Sequence, residues 1–417
     1  MRPKPRETKL AAKKNRILNE LFRGGGCSRF DLARRLNINA AMVGTYVGDF
    51  LRECVLLEGE SSPTRRGRTP VPLQLNPDHG CFLGLDFEAL RARAVLCDFA
   101  GNPLCREEIP FRSHLARKTV LQRIVDLSRQ LAGRADRPLL SVGVAAPGQV
   151  DCLGGRVLHY GLLPDFDDVP LLQHFQQAFD VPVFVEDNIR AVAYGELLRG
   201  AGRGRHNFLC LAVRSGVGLG IVISGKLYAG AGSFAGEIGY TVFPSGDGPQ
   251  AMTDLISATG FVEDTLRLLR SRQGEAKRQA LLDKADDLSL GDIIAAAEAG
   301  DELLQDRLEL LGTHLGMVTA NLANLFSPET IILAGEVPSC CERVSRKMER
   351  TFRKFTLPQI LEVTSLQTGS LGSFAGALGV AYLGFARLHP EDETTLVDQR
   401  NNHHETACVA EPVRATP

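Results

Sequence analysis

The chain has 417 residues, 44% hydrophobic and 23% charged, which is enough for two or three domains with cores of their own and excludes a wholly disordered chain. No apolar run reaches the roughly twenty residues that a bilayer needs, and the basic start MRPKPRETKLAAKKNR has no apolar segment behind it, so the expected location is cytoplasmic, with no membrane partner. Net charge is −1 but divided, +8 over residues 1–70 and −9 over the remainder, as suits a protein that meets nucleic acid at one end, while ten scattered cysteines without a C-x-C or C-x-x-C pair argue for reduced thiols over disulfides or zinc.

Asn15 to Phe22 sets Ile17, Leu18, Leu21 and Phe22 on one helical face, and Gly24, Gly25 and Gly26 end that helix. Ser28, three residues before Asp31, caps a second helix with Leu32, Ala33 and Leu36 inward. After Asn37-Ile38-Asn39 a third helix runs from about Ala40 to Glu53. Two helices joined by so short a turn outline a helix-turn-helix, whose third helix would enter the major groove. The residues expected at DNA are Ser28, Arg29, Asn39, Ala40, Ala41, Gly44 and Thr45, the last five at the start of the reading helix and short enough to let base edges come close. Val55 to Glu58 reads as a strand and Glu60 to Arg68 as a wing, whose Arg65, Arg66 and Arg68 suit phosphates or a minor groove. The bland alternative is a helical hairpin for protein contact; the basic balance and the arginines favour DNA. Gly67 to Pro77 reads as a proline-rich connector.

From Cys81 the pattern becomes α/β. Cys81 to Phe87 and Ala92 to Asp98 read as a hairpin, followed by a strand near Glu107 to Phe111, a helix from Lys118 to Ala132 and a buried strand from Leu140 to Ala145. Val181 to Val185 is another strand and Ile189 to Arg199 another helix. Further on, Gly312 to Leu325 is an apolar helix, Thr330 to Ala334 a strand, and Gly372 to Ala377 opens the last helix. The tail from His389 is polar, without period, and expected to be disordered.

Residues 213–240, VRSGVGLGIVISGKLYAGAGSFAGEIGY, hold eight glycines around Ile221-Val222-Ile223: a strand, a tight turn at Ser224-Gly225-Lys226, a second strand, then a glycine-rich loop reaching Glu237. Glycines serve phosphate cradles, and they serve turns and close packing equally well. The order Gly216-x-Gly218-x-Gly220, Gly230, Gly232 and Ala235-Gly236-Glu237-Ile238-Gly239 resembles the signature of the ROK family of repressors and sugar kinases. The winged helix, Gly67-Arg68-Thr69-Pro70 and Leu73-Gln74-Leu75-Asn76-Pro77 are similar to the start of its repressor branch, such as those for N-acetylglucosamine or xylose genes; its kinases lack this module. The resemblance implies a two-lobed actin-like ATPase (ribonuclease H-like) domain behind a winged helix-turn-helix.

The chain departs from that family where kinase chemistry would reside. The kinases open with Asp-x-Gly-Gly-Thr; here Asp86-Phe87-Glu88-Ala89-Leu90 lacks both glycines and the hydroxyl, and Glu88 would set a carboxylate against a polyphosphate. The family's catalytic Asp, third in Glu-Asn-Asp, aligns with Asn188 of Glu186-Asp187-Asn188, and an amide cannot take the sugar hydroxyl's proton. The cysteines and histidine of the family's zinc motif are replaced by Tyr240 to Met252, so neither metal nor cofactor is expected, and Phe243 and Pro244 are expected to order that loop by packing. Leu162 takes an Asn position of the sugar pocket. The residues left to hold an effector are Asp187, Asn188, Glu237, Tyr240 and Asp254.

The expected organisation is residues 1–75 as DNA-binding domain with arm and linker, 76–388 as sensor, and 389–417 as tail. The expected function is a DNA-binding transcriptional regulator, a repressor of carbohydrate-related genes, acting as a homodimer or higher homo-oligomer on a double-stranded operator under a sugar or sugar-derived effector. Two alternatives stand beside it: an ATP-dependent, glucokinase-like sugar kinase with a regulatory DNA-binding arm, and a constitutive DNA-binding protein whose second domain is scaffold.

Overall fold

The computed structural model describes residues 5–59, 71–111, 115–245, 248–271 and 276–391. The expectations for Arg65, Arg66 and Arg68, and for residues 392–417, lie outside the described residues. The chain divides into two compact units, Met1–His79 with Phe99–Gly101 and Phe385–Pro417, and Gly80–Asp98 with Asn102–Gly384.

In the first unit, helix α1 (Pro5–Gly24) buries Ile17, Leu18, Leu21 and Phe22, and Gly25, at φ +73°, turns the chain out of it with its amide on the Leu21 carbonyl. Ser28 caps α2 (Arg29–Leu36) through a reciprocal box with Asp31. Asn37, left-handed at φ 51°, makes the turn, and Asn39 caps α3 (Ala40–Arg52) by accepting from the Ala41 amide at 2.9 Å. Strand β1 (Leu56–Glu58) pairs antiparallel with β2 (Leu73–Leu75). Part of the expected connector is therefore sheet: Leu73 is fully buried, and its backbone bonds in both directions to Cys27. Phe22 stacks on Phe385 at 4.0 Å between ring centroids, and Asn15 and Asn19 donate to the carbonyls of Pro390 and His389. His389 and Pro390 thus belong to the folded unit, and the expectation of disorder rests on residues 392–417 alone.

The second unit holds two five-stranded sheets with the same plan. Strands β3 (Cys81–Phe87), β4 (Arg91–Asp98) and β5 (Pro103–Pro110) form an antiparallel meander. Helix α4 (Arg117–Ala132) then leads to β6 (Leu139–Ala146), which pairs parallel with β3, and β7 (Val183–Asp187) lies parallel beside β6. Helix α5 (Asn188–Arg199) connects to the second sheet. There β8 (Phe208–Val213), β9 (Val217–Ile223) and the two-residue β10 (Lys226–Leu227) make the meander, with the turn at Ser224 and Gly225, both at positive φ. A small hairpin of β11 (Val242–Ser245) and β12 (Gly248–Ala251) follows, then helices α6 (Ala258–Ser271) and α7 (Glu302–Phe326). Strand β13 (Thr330–Ala334) lies parallel to β8, α8 (Glu342–Phe355) packs on α7, β14 (Ser365–Thr368) completes the sheet, and α9 (Ala375–Leu388) closes the fold. A meander followed by parallel strands, built twice, is the actin-like, sugar-kinase-type architecture. The cores are apolar throughout, one around Leu83, Val142 and Ile124 and the other around Leu211, Leu315 and Ile331.

Candidate functional site

A cavity of about 350 Å³ opens in the second unit, at the ends of β7 and β8 and beside the loop that follows β10. Glu186, Asp187 and Asn188 leave β7 as α5 begins. Asp187 is the N-cap, its Oδ1 accepting from the amides of Ile189 and Arg190 at 3.1 and 2.8 Å, so one carboxylate oxygen is spent on the helix. Asn188, in the first helical position, is 6% exposed, lines the cavity, and makes no side-chain hydrogen bond with a described residue. Arg190, two residues on, binds Glu186 and donates to the carbonyl of Ser233, which ties α5 to the glycine-rich loop. That loop brings Glu237 into the cavity wall. Burial, and then the charge of Asp187, push the Glu237 carboxyl up to about 7, while burial outweighs Arg190 to bring Asp187 to about 6. Asp187, Asn188, Glu237, Tyr240 and Asp254 all line this one cavity, the last two from exposed positions at its rim. Leu162 lines it too.

Among the lining residues that sequence reasoning missed are the charged Arg190, Arg214 and Glu263. Arg214, just past β8, is 6% exposed and reaches across to the end of β3, where its Nη1 donates to Asp86 Oδ2 at 2.7 Å. Glu88, 2% exposed, accepts from the Ser215 hydroxyl at 2.8 Å and from Arg93 Nη1 at 3.3 Å. Burial alone would raise the Glu88 carboxyl, but Arg214 and Arg93 outweigh it and hold Glu88 below its ordinary value. Two buried carboxylates and two buried guanidiniums therefore neutralise one another at this corner of the cavity.

The pattern of the ROK family matches residues 82–386, nearly three-quarters of the chain. The chain belongs to the ROK family. It is 26% identical to the xylose repressor of Bacillus spizizenii over 88% of its own length and 92% of that protein. It is 28% identical to the glucokinase of Halalkalibacterium halodurans, over 72% of this chain and 94% of the kinase. Among solved structures, a ROK family transcriptional regulator titled as a homologue of the E. coli MLC protein shares the fold over 94% of this chain and 98% of its own, at TM-score 0.73 and 22% identity. The ROK family glucokinase from Streptomyces griseus, in complex with glucose and AMPPNP, covers 73% of this chain and 99% of its own at TM-score 0.61 and 25% identity.

Within the ROK domain, the signature glycines divide by role. A Cβ on Gly218 would stand 2.6 Å from the Ile189 side chain, and one on Gly220 2.3 Å from the Ala193 Cβ, so these two let α5 lie against β9. A Cβ on Gly216 would meet nothing within 4 Å, and Gly216 faces the cavity. In the segment from Tyr240 to Met252, Phe243 packs on the second core; the side chain of Pro244 lies outside the described residues. Among the described residues, no group of three or more His, Cys, Asp and Glu side chains is placed to hold a metal ion. No described helix is long and apolar enough to cross a membrane.

In the first unit, Asn39, Ala40, Ala41, Gly44 and Thr45 are all exposed, on the face of α3 opposite the buried Val43, Tyr46, Val47 and Phe50. Ser28 is buried, and its hydroxyl is engaged with Asp31 in the cap of α2. Arg29 pairs with Glu58 at 2.8 Å. Ser28 thus serves the α2 cap, and Arg29 sits in a partly exposed ion pair.

Proposed function

We propose that this protein is a cytoplasmic DNA-binding transcriptional repressor of carbohydrate-related genes, in which the ROK domain senses a small polar effector and does not phosphorylate it. The observation that carries this reading is the N-terminal unit. A solvated, small-residue face on a capped third helix, behind a two-stranded sheet, suits a winged helix-turn-helix, and small side chains there let the helix approach base edges. The match to a xylose repressor spans 88% of the chain and that to a glucokinase 72%, which supports the same reading. Binding to a double-stranded operator as a homodimer belongs to the proposal, because one recognition helix reads only a half-site.

The kinase alternative draws on the glucokinase similarity, and the site argues against it twice. A nucleotide's phosphates would have to share the corner where Glu88 lies buried and Arg214 is already bound to Asp86. At the position of the family's base stands Asn188, and neighbouring Asp187 is occupied in capping α5. Incubation with ATP, Mg²⁺ and a hexose panel is expected to yield no sugar phosphate; turnover would restore the kinase. In gel-shift titrations, Ala41→Glu with Thr45→Glu is expected to abolish DNA binding without moving the melting temperature. Unchanged binding would remove α3 from the proposed interface.

A further inference from the structure

The charges around the cavity are one-sided. Five carboxylates line it, from Glu88, Asp187, Glu237, Asp254 and Glu263, against two guanidiniums. Both guanidiniums are already engaged by acids outside the lining, Arg190 by Glu186 and Arg214 by Asp86. Glu88 is matched by Arg93 and Ser215, and Asp187 by helix amides. Glu237, Asp254 and Glu263 form no ion pair with any described residue. Glu237 is held near 7 by burial and by Asp187, which together outweigh the opposing charge of Arg190. A second, independent feature marks the cavity as built for a polar ligand: the carboxamide of Asn188, 6% exposed and without a hydrogen-bond partner among the described residues, lines it. A buried amide needs hydrogen-bond partners, and a hydroxylated ring supplies both a donor and an acceptor.

We infer that the effector is a cationic polyol, a hexose-sized ring bearing a free amine, and that neutral and phosphorylated sugars are discriminated against. The ammonium sits among Glu237, Asp187 and the rim acids Asp254 and Glu263, and the ring hydroxyls meet Asn188. An anionic substituent entering the same space meets five carboxylates and two guanidiniums whose charge is already used. This inference rests on the reading of the cavity as the effector site.

The test is calorimetric titration of the full-length protein at neutral pH and low ionic strength with matched probes: glucosamine, galactosamine and mannosamine, their N-acetyl derivatives, the parent hexoses and the hexose 6-phosphates. At least one free amine is expected to bind about tenfold or more tightly than its acetylated and hydroxyl counterparts, with no heat from the phosphates. Glu237→Gln is expected to weaken binding of the free amine severalfold more than binding of its hydroxyl counterpart; equal loss for both would remove Glu237 from the ammonium site. Equal or tighter binding of a neutral sugar or a phosphate would overturn the charge assignment and leave the cavity as effector site. No binding by any probe would overturn both. Operator binding, measured separately, isolates a failure of the repressor reading.

Discussion

Arg214 carries its charge into a space walled by Asp86 and Glu88, each no more than 2% exposed, and neither side of this cluster is tolerable without the other. Removing one member of a buried pair strands the opposing charge, so Arg214→Met is expected to destabilise the protein by about 3–5 kcal/mol in urea unfolding at neutral pH. The deficit should shrink in acid, where the stranded carboxyls take up protons. A loss under about 1 kcal/mol would mean that the cluster is solvated. Glu237 acts with the opposite sign. Its folded-state value of about 7 lies above the ordinary 4.5, so the folded protein keeps a proton that the unfolded chain releases. Stability attributable to this group therefore falls as pH rises from about 4.5 to about 7, and the penalty is complete above that window. Glu237→Gln is expected to flatten this stretch of the melting-temperature profile and to melt higher than the parent at pH 8; a lower melting temperature there would contradict the burial of an unmatched carboxylate. That Glu88 would set a carboxylate against a phosphate bound there could be read from the sequence, because it follows from charge and position. The sequence could not show that Arg214, 128 residues from Asp86, fills the corner, because only the folding of the two sheets brings them together.

At the scale of elements, local chemistry was the legible part. Ser28 and Asp31, three apart, form the capping box that their spacing implies, and Gly25 turns the chain out of α1. Strands β3, β4 and β6 were readable from their apolar runs. Strand β2 was not: three residues, Leu73-Gln74-Leu75, become a strand only through partners at Leu56–Glu58 and Cys27, which local composition cannot reveal. The glycines of β9 were readable as glycines but not by purpose, since phosphate cradles and close helix packing demand the same residue. Gly220→Ala separates the two. Its methyl would lie 2.3 Å from the Ala193 Cβ, forcing α5 off the sheet, and the expected cost is about 1–3 kcal/mol. Gly216→Ala, with open space at its Cβ, should leave stability within about 0.5 kcal/mol of the parent. Comparable costs at both positions would show that packing against α5 is not what distinguishes them.

For the whole molecule, the ROK pattern covers residues 82–386, while the exposed face of α3 belongs to the unit that precedes it. The expected domain order rests on a basic, helical head and an acidic α/β body that differ in composition as well as in periodicity. The five residues expected to hold an effector come from β7, α5, the loop after β10 and the short helix Met252–Ile256, and they share one cavity because the duplicated sheet plan gathers these ends. The central claim is that this ROK protein reads DNA. The most direct test is a fluorescence-anisotropy titration of the full chain against a labelled duplex from the region upstream of its own coding sequence, repeated over a range of salt with unlabelled scrambled duplex as competitor. The account predicts saturable binding that survives the competitor by about a thousandfold and weakens steeply with salt, as phosphate contacts require. Equal affinity for the upstream and scrambled duplexes, or no binding to either, would contradict it.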